Sequence, residues 1–268
     1  MKTRTPAVAG RFYPGSRHSL AAEVARYLEP QQARRQVKGL VAPHAGYMYS
    51  GPVAGAVYAS VEIPARLIIL CPNHTGNGTP LAVMSGGAWQ TPLGEVPVDE
   101  ALAGVLGKAL PQLQEDESAH RYEHSLEVQL PFIQACRADI RFVPVCVRSS
   151  RLETLLRLGE ALAAAVAGAG EPVLLVASSD MSHYEPAGEA RRKDHLAIRY
   201  MEAMDPEGLA QVVEEESISM CGWAPAVAVI EACRRLGARK GELVRYATSG
   251  DVTGDHGSVV GYAGLVFF

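Results

Sequence analysis

The chain has 268 residues, 48% of them hydrophobic and 20% charged, a balance that suits a soluble globular protein with a full core. At this length folding removes roughly 75% of the chain's surface from water, so neither disulfides nor a structural metal is required for stability, and any metal is expected to serve function. A formal net charge of -4 gives no global basic field, which argues against nucleic acid and anionic membrane as partners and points to a small substrate.

The opening stretch "MKTRTPAVAG" lacks the apolar core of a signal peptide, and no segment approaches the ~20 apolar residues of a membrane span, so a cytoplasmic location is expected. The first element, "SLAAEVARYL", has apolar positions at helical spacing behind a candidate Ser19 cap, and Pro30 stops the pattern. "KGLVAPHAG" then reads as a short buried strand, "PVAGAVYASV" as an alanine-rich helix and "RLIILCPNHTG" as a second apolar strand. Strand, helix, strand is the right-handed crossover of a parallel sheet, whose strands are buried on both faces and read as continuous apolar runs.

Further on, "LAVMSGGAWQTPLGEVPVD" predicts a hairpin excursion, "DEALAGVLGKAL" and "YEHSLEVQLPFIQAC" predict helices, and "IRFVPVCV" another strand. A helix from about Arg151 to Ala167 precedes "EPVLLVASSDMSHY", a third apolar strand that ends in a histidine. "AGEARRKDHLAIRYMEAM" and "APAVAVIEACRRLG" predict helices, and "GELVRYATSG" with "SVVGYAGLVFF" close the chain as strands. Without repeats, low-complexity tracts or long linkers, residues 1–268 read as one α/β domain with a largely parallel or mixed central sheet flanked by helices.

Three strands finish alike, in "LVAPHAG", "ILCPNHTG" and "LLVASSDMSH". Ligands of open α/β sheets bind beyond the carboxyl ends of strands, where loops converge on a crevice. His44 and His74 stand one strand-helix-strand unit apart, so their strands are expected to be close neighbours and their imidazoles to reach one ion. Pro43 and Pro72 stiffen these turns, while Gly46 and Gly76 allow close backbone approach. A lone histidine at a strand end is usually a hydrogen-bonded loop residue; the repetition is what points to a metal or catalytic centre.

Cys221, Asp180 and His183 are candidates for a third ligand. Cys221 precedes a helix expected to start near Ala224 or Pro225, where free N–H groups would lower a thiol's pKa and make it a thiolate ligand or nucleophile. A buried thiol packed under that helix is the competing reading. Cys71, Cys136, Cys146 and Cys233 lie in apolar or periodic segments and read as small buried hydrophobes. The odd count of five cysteines, without a C-x-x-C pair, argues for reduced thiols. His183 suits a general acid or base, and Asp180 could orient an imidazole, bind the ion or cap a turn. "HRYEHSLEVQ" adds Glu123, His124 and Glu127, with His124 and Glu127 on one helix face; a solvated helix start with a Ser125 cap, or an ion pair at the core edge, is an equal reading.

The blocks "RTPAVAGRFYP", "APHAGYMYSG", "PNHTG", "EHSLEVQLPF", "SSDMSHY" and "SVVGYAG" together resemble those of the Memo family, named for a mediator of cell motility, over essentially the whole chain. In prokaryotic terms the resemblance is to the protein B type of the AmmeMemoRadiSam system. It implies a fold similar to the catalytic subunit of class III extradiol dioxygenases, which use non-haem Fe(II). It also implies metal ligation by His44, His74 and Cys221, with Asp180 and His183 lining the same pocket, and AMMECR1-like and radical-SAM proteins as possible pathway partners. The departure is the sulfur: ring-cleaving enzymes hold iron by two histidines and a carboxylate, and a thiolate shifts preference toward copper or zinc or a differently tuned iron. Dioxygenase activity therefore does not follow from fold. The leading expectation is a non-haem iron or copper redox enzyme, with Fe(II) first and copper or zinc as alternatives, acting on a small molecule or peptide in the crevice. The competing expectations are a metal-free hydrolase using Cys221, His183 and Asp180, and a non-catalytic metal- or peptide-binding protein.

Overall fold

The computed structural model describes residues 2–28 and 34–268. The expected stop at Pro30 lies outside the described residues. In chain order the elements are β1 (Thr3–Arg4), α1 (Arg17–Tyr27), β2 (Gly39–Ala42), α2 (Tyr47–Ser60), β3 (Arg66–Pro72), β4 (Leu81–Val83), β5 (Ala88–Thr91), β6 (Gly94–Pro97), α3 (Glu100–Ala109) and β7 (Gln114–Glu115). They continue with α4 (Leu130–Cys136), β8 (Arg141–Val147), α5 (Leu152–Ala167), β9 (Val173–Ser178), β10 (His183–Glu185), α6 (Ala187–Glu202), α7 (Pro206–Glu215), α8 (Trp223–Arg235), β11 (Gly241–Thr248), α9 (Gly250–Thr253) and β12 (Val259–Phe267).

Among the described residues the main sheet has nine strands, in the order β10-β12-β2-β9-β3-β8-β4-β7 with β11 paired to β12. Its centre, β2-β9-β3-β8, is parallel, and β12 and β4 flank it antiparallel. All residues of β2, β3 and β9 are buried, as their unbroken apolar runs require. Alternate side chains feed two cores. Val41, Ile68, Leu70, Val143, Leu175 and Ala177 pack with α3, α5, α6, α7 and α8 on one face, while Leu40, Leu67, Ile69, Phe142, Leu174 and Val176 pack with α1, α2 and α4 on the other. The expected hairpin is β5-β6, which joins β1 in a separate three-stranded sheet.

Several expectations shift. Helix α1 is capped by Ser16, whose side chain accepts from the Ser19 N–H, so it starts before the expected cap. Helix α2 begins at Tyr47, ahead of Gly51, and α8 at Trp223 behind Gly222. The strand expected to end in His183 ends at Ser178, and His183 opens the separate strand β10 against β12. No helix covers Tyr122 to Leu126; a 3-10 turn at Glu127–Gln129 leads into α4. Helix α7 went unread, although Asp205 caps it, Pro206 opens it and Leu209, Val212 and Val213 recur at helical spacing.

The departure from an α-helix between Glu123 and Glu127 follows from where these two carboxylates go. Glu127 is fully buried and gathers the N-terminal segment: it accepts from Arg4 at 2.7 Å, from the Ala7 and Val8 N–H groups at 2.7 and 3.1 Å, and from the Tyr13 hydroxyl at 2.6 Å. Arg4 in turn donates to the carbonyls of His120 and Glu123 at 2.8 Å each. Removing one partner of a buried ion pair strands the other charge without solvent. Glu127→Ala is therefore expected to lower stability by about 3–5 kcal/mol, read as a fall in the urea midpoint, whereas a shift under about 1 kcal/mol would contradict this role.

Candidate metal centre

The carboxyl ends of β2, β9 and β3 lie side by side on one edge of the sheet, with β9 in the middle. The strands bearing His44 and His74 are therefore not adjacent, as expected from the sequence, but one strand apart. Their turns lean over the end of β9, and the two imidazole centroids come within 5.2 Å. Ligand atoms of His44, His74 and Cys221 lie within 4.8 Å of one another, close enough for bonds of about 2.1–2.3 Å to one ion after small side-chain movement.

Hydrogen bonds fix which nitrogen each imidazole presents. The Ser178 hydroxyl donates its single proton to the Ser125 carbonyl at 2.6 Å, and it accepts from Gln129 Nε2 at 2.8 Å. Toward His44 Nδ1, 2.9 Å away, it can only accept, so that nitrogen carries the proton and His44 Nε2 is bare. Gln129 is itself oriented by the Pro43 carbonyl at 3.0 Å and the Tyr58 hydroxyl at 2.9 Å. His74 Nδ1 lies 2.9 Å from Glu123 Oε1, and the His74 N–H donates to Oε2 at 2.6 Å. His183 Nδ1 lies 2.9 Å from the Ser219 carbonyl. Neither a carboxylate nor a carbonyl can donate, so these imidazoles also keep the proton on Nδ1 and present Nε2. This is the arrangement by which outer hydrogen bonds orient metal-ligating histidines.

Cys221 Sγ sits 3.2 Å from His44 Nε2 and accepts from the Asp180 N–H at 3.3 Å. It reaches the strand end because residue 222 is glycine: a Cβ there would collide with the Ser178 carbonyl and Ser179, and the Gly222 N–H donates to Ser179 Oγ at 3.0 Å. Asp180 accepts from the His44 N–H at 2.7 Å, and its Oδ2 lies 4.0 Å from His44 Nε2.

Burial dominates the electrostatics. It holds His44 neutral, well below the usual histidine range, helped by the positive charge of His124, His74 and His183. Burial also pulls His74 down, but the hydrogen bond and charge of Glu123 outweigh it and the net shift is upward. Glu123 responds in kind: burial raises it, yet His74 and Ser125 bring it to about 2. Asp180 is raised by burial to about 6, with the His44 N–H acting against that rise. The Cys221 thiol is pushed well above its ordinary value by burial and then by Asp180. That reverses the expected lowering: Cys221 precedes the helix cap, and desolvation outweighs what the helix end offers.

Of the sequence candidates, His44, His74 and Cys221 come together, and Asp180 and His183 join them closely enough that His183 bears on the charge of both His44 and Asp180. Glu127 belongs to the N-terminal latch. Glu123 is not a solvated helix start: it is fully buried behind His74 with Ser125 as donor, not cap, and His74, Glu123 and His124 form a second group whose ligand atoms lie within 4.8 Å of one another. His124 packs on Phe12 with centroids 4.7 Å apart, and its Nδ1 lies 3.4 Å from Glu123 Oε1. Ser178 and Gln129 were missed; a polar pair inside apolar segments, "LLVASS" and "EVQLPF", was the available signal.

Comparison with known proteins gives the family. The family model described as "Memo-like protein" matches residues 4–266. The chain belongs to the Memo family. MEMO1 family proteins of Methanothermobacter thermautotrophicus and Aquifex aeolicus are each 44% identical, covering 98% and 100% of this chain and 99% and 100% of their own lengths. One from Methanopyrus kandleri is 42% identical over 98% of each chain. In fold, the Memo chain is similar to an uncharacterized Escherichia coli protein of known structure, with a TM-score of 0.53 and 17% identity, covering 86% of this chain and 100% of that one. Among the described residues of this family member no helix is long and apolar enough to cross a membrane.

Substitution at Gly222 tests how the sulfur is placed. Gly222→Ala is expected to cost about 1–3 kcal/mol in the metal-free protein by forcing the Cys221 turn off β9. An unchanged denaturant midpoint would show that the close approach is not required.

Proposed function

We propose that this Memo family protein is a metal-dependent redox enzyme that holds one first-row transition ion on His44 Nε2, His74 Nε2 and Cys221 Sγ. Fe(II) is the leading candidate and copper the redox-active alternative; zinc suits the same ligands but would supply only Lewis-acid chemistry. The observation that carries the reading is the convergence of these atoms with both histidines already committed, by acceptors that cannot donate, to presenting Nε2. A bound ion with open positions would supply Lewis-acid and redox chemistry.

The chain's own groups serve the substrate. With its Nδ1 proton held by Ser219, His183 offers Nε2 as a proton acceptor at the site. Asp180, raised to about 6, changes charge near neutrality and can exchange a proton there. Tyr184, 79% exposed, stands beside His183 with ring centroids 5.9 Å apart, giving a small planar ligand apolar surface next to that histidine. Ring cleavage is not implied, since a thiolate stands where the dioxygenases place a carboxylate.

A metal-free thiol reading draws on one contact, Cys221 Sγ to His44 Nε2 at 3.2 Å. It differs from the expected triad, because the imidazole touching sulfur is His44 while His183 bonds Ser219. The raised thiol weighs against it, as a nucleophilic cysteine needs a lowered pKa.

Anaerobic reconstitution separates the two. One ion per chain is expected, with binding lost in His74→Ala; stoichiometric binding that survives that change would remove the proposed site. Iodoacetamide labelling of Cys221 that is fast and indifferent to chelators would favour the thiol reading instead. The pH dependence has a definite sign. The Cys221 proton must leave for sulfur to bind, and burial holds that proton to higher pH than usual, so affinity is expected to fall as pH drops, about tenfold per unit for each proton displaced. Affinity flat between about pH 8 and 6, measured by chelator competition, would mean that the thiolate is not a ligand.

A further inference from the structure

The carboxylate behind His74 bears on which kind of ion the centre takes. Every contact on Glu123 is a donor: Oε1 receives His74 Nδ1 at 2.9 Å, the Ser125 N–H at 3.0 Å and the Ser125 hydroxyl at 2.6 Å, and Oε2 receives the His74 N–H at 2.6 Å. Such a group is an anion, and at 0% exposure water does not screen it. The nearby Arg4 does not cancel it, because Arg4 is paired with the Glu127 carboxylate at 2.7 Å and meets only the backbone carbonyl of Glu123, not its carboxylate. His124, whose Nδ1 lies 3.4 Å from Glu123 Oε1, is kept toward its neutral form by burial.

We propose that Glu123 is a positioning residue that gives this centre a preference for a divalent ion over Cu(I). The inference rests on reading His44, His74 and Cys221 as the ligands. Sulfur alone pulls toward Cu(I), being soft. Charge pulls the other way. A bound thiolate and the Glu123 carboxylate together carry two negative charges in a buried place; a divalent ion neutralises both, and a cuprous ion leaves one uncompensated, which a desolvated site disfavours. Asp180 adds in the same direction when ionised. Glu123 also strengthens His74 Nε2 as a donor by accepting from the far side of the ring, a second gain that grows with the charge of the ion.

The test is anaerobic titration of metal-free protein with Zn(II) and, separately, Cu(I), each against a competing chromophoric chelator, in wild type, Glu123→Gln and Glu123→Asp. Zn(II) affinity is expected to fall about 10–100-fold in Glu123→Gln while Cu(I) affinity changes less than about threefold, with Glu123→Asp keeping the wild-type preference. Equal losses for both ions, or an unchanged ratio with binding intact, would overturn the role of Glu123 alone. By contrast, undiminished binding in His74→Ala would defeat the ligand assignment beneath it. If Glu123→Gln does not fold, the wild type still decides: nitrogen-15 NMR of the metal-free protein at about pH 8 is expected to show His74 protonated at Nδ1, and a proton on Nε2 refutes the proposal.

Discussion

Parallel pairing sends the carboxyl ends of neighbouring strands to one edge of a sheet, and here it stacks β2, β9 and β3 so that three turns open side by side. Everything at the candidate centre hangs from that alignment. Two imidazoles lean inward from the outer strands, while the middle strand ends in Ser178, small enough to leave room above it and polar enough to hold one imidazole by its Nδ1. A large side chain at the end of β9 would occupy the space in which the rings meet.

The same alignment explains why so many polar groups are buried in this region without being orphaned. Ser178, Gln129, Ser125 and Glu123 form two short chains of hydrogen bonds, one ending on His44 and the other on His74. Each chain runs from a donor to an acceptor that has no proton to return, so the direction of every bond is set. Such networks are costly when incomplete, because an unpaired polar group in a low-dielectric interior keeps its full desolvation penalty. Completeness here gives the site its fixed protonation pattern. It also explains why residues 122–126 are not helical: the Glu123 carboxylate and the Ser125 carbonyl serve partners on other elements, and a helix would aim them elsewhere.

Particular elements show what was readable along the chain. The strands β2, β3, β8 and β9 announce themselves because burial on both faces demands unbroken apolar runs, and the helices α5 and α6 because one face must be apolar at helical spacing. The extent of other elements was not readable. Helix α2 starts at Tyr47 despite Pro52, since its first turns are stabilised by packing that propensity does not record, and β9 stops at Ser178 because the chain turns there to bring His183 against β12. Strand order was equally hidden: nothing in the spacing of His44 and His74 says that a strand formed a hundred residues later inserts between theirs.

The residues of the site divide along the same line. Residue type and placement after apolar strands marked His44, His74, Asp180 and His183, because imidazole and carboxylate groups there are costly unless they have a use, and placement just before a helix marked Cys221. Their protonation pattern, the raised Cys221 thiol and the buried Glu123 came only from tertiary structure. Which nitrogen holds a proton depends on an acceptor brought from a remote segment, and how strongly a group resists charge depends on the water that folding removes around it. Chemical identity is a property of the chain, whereas electrostatic state is a property of the neighbours that three-dimensional packing supplies.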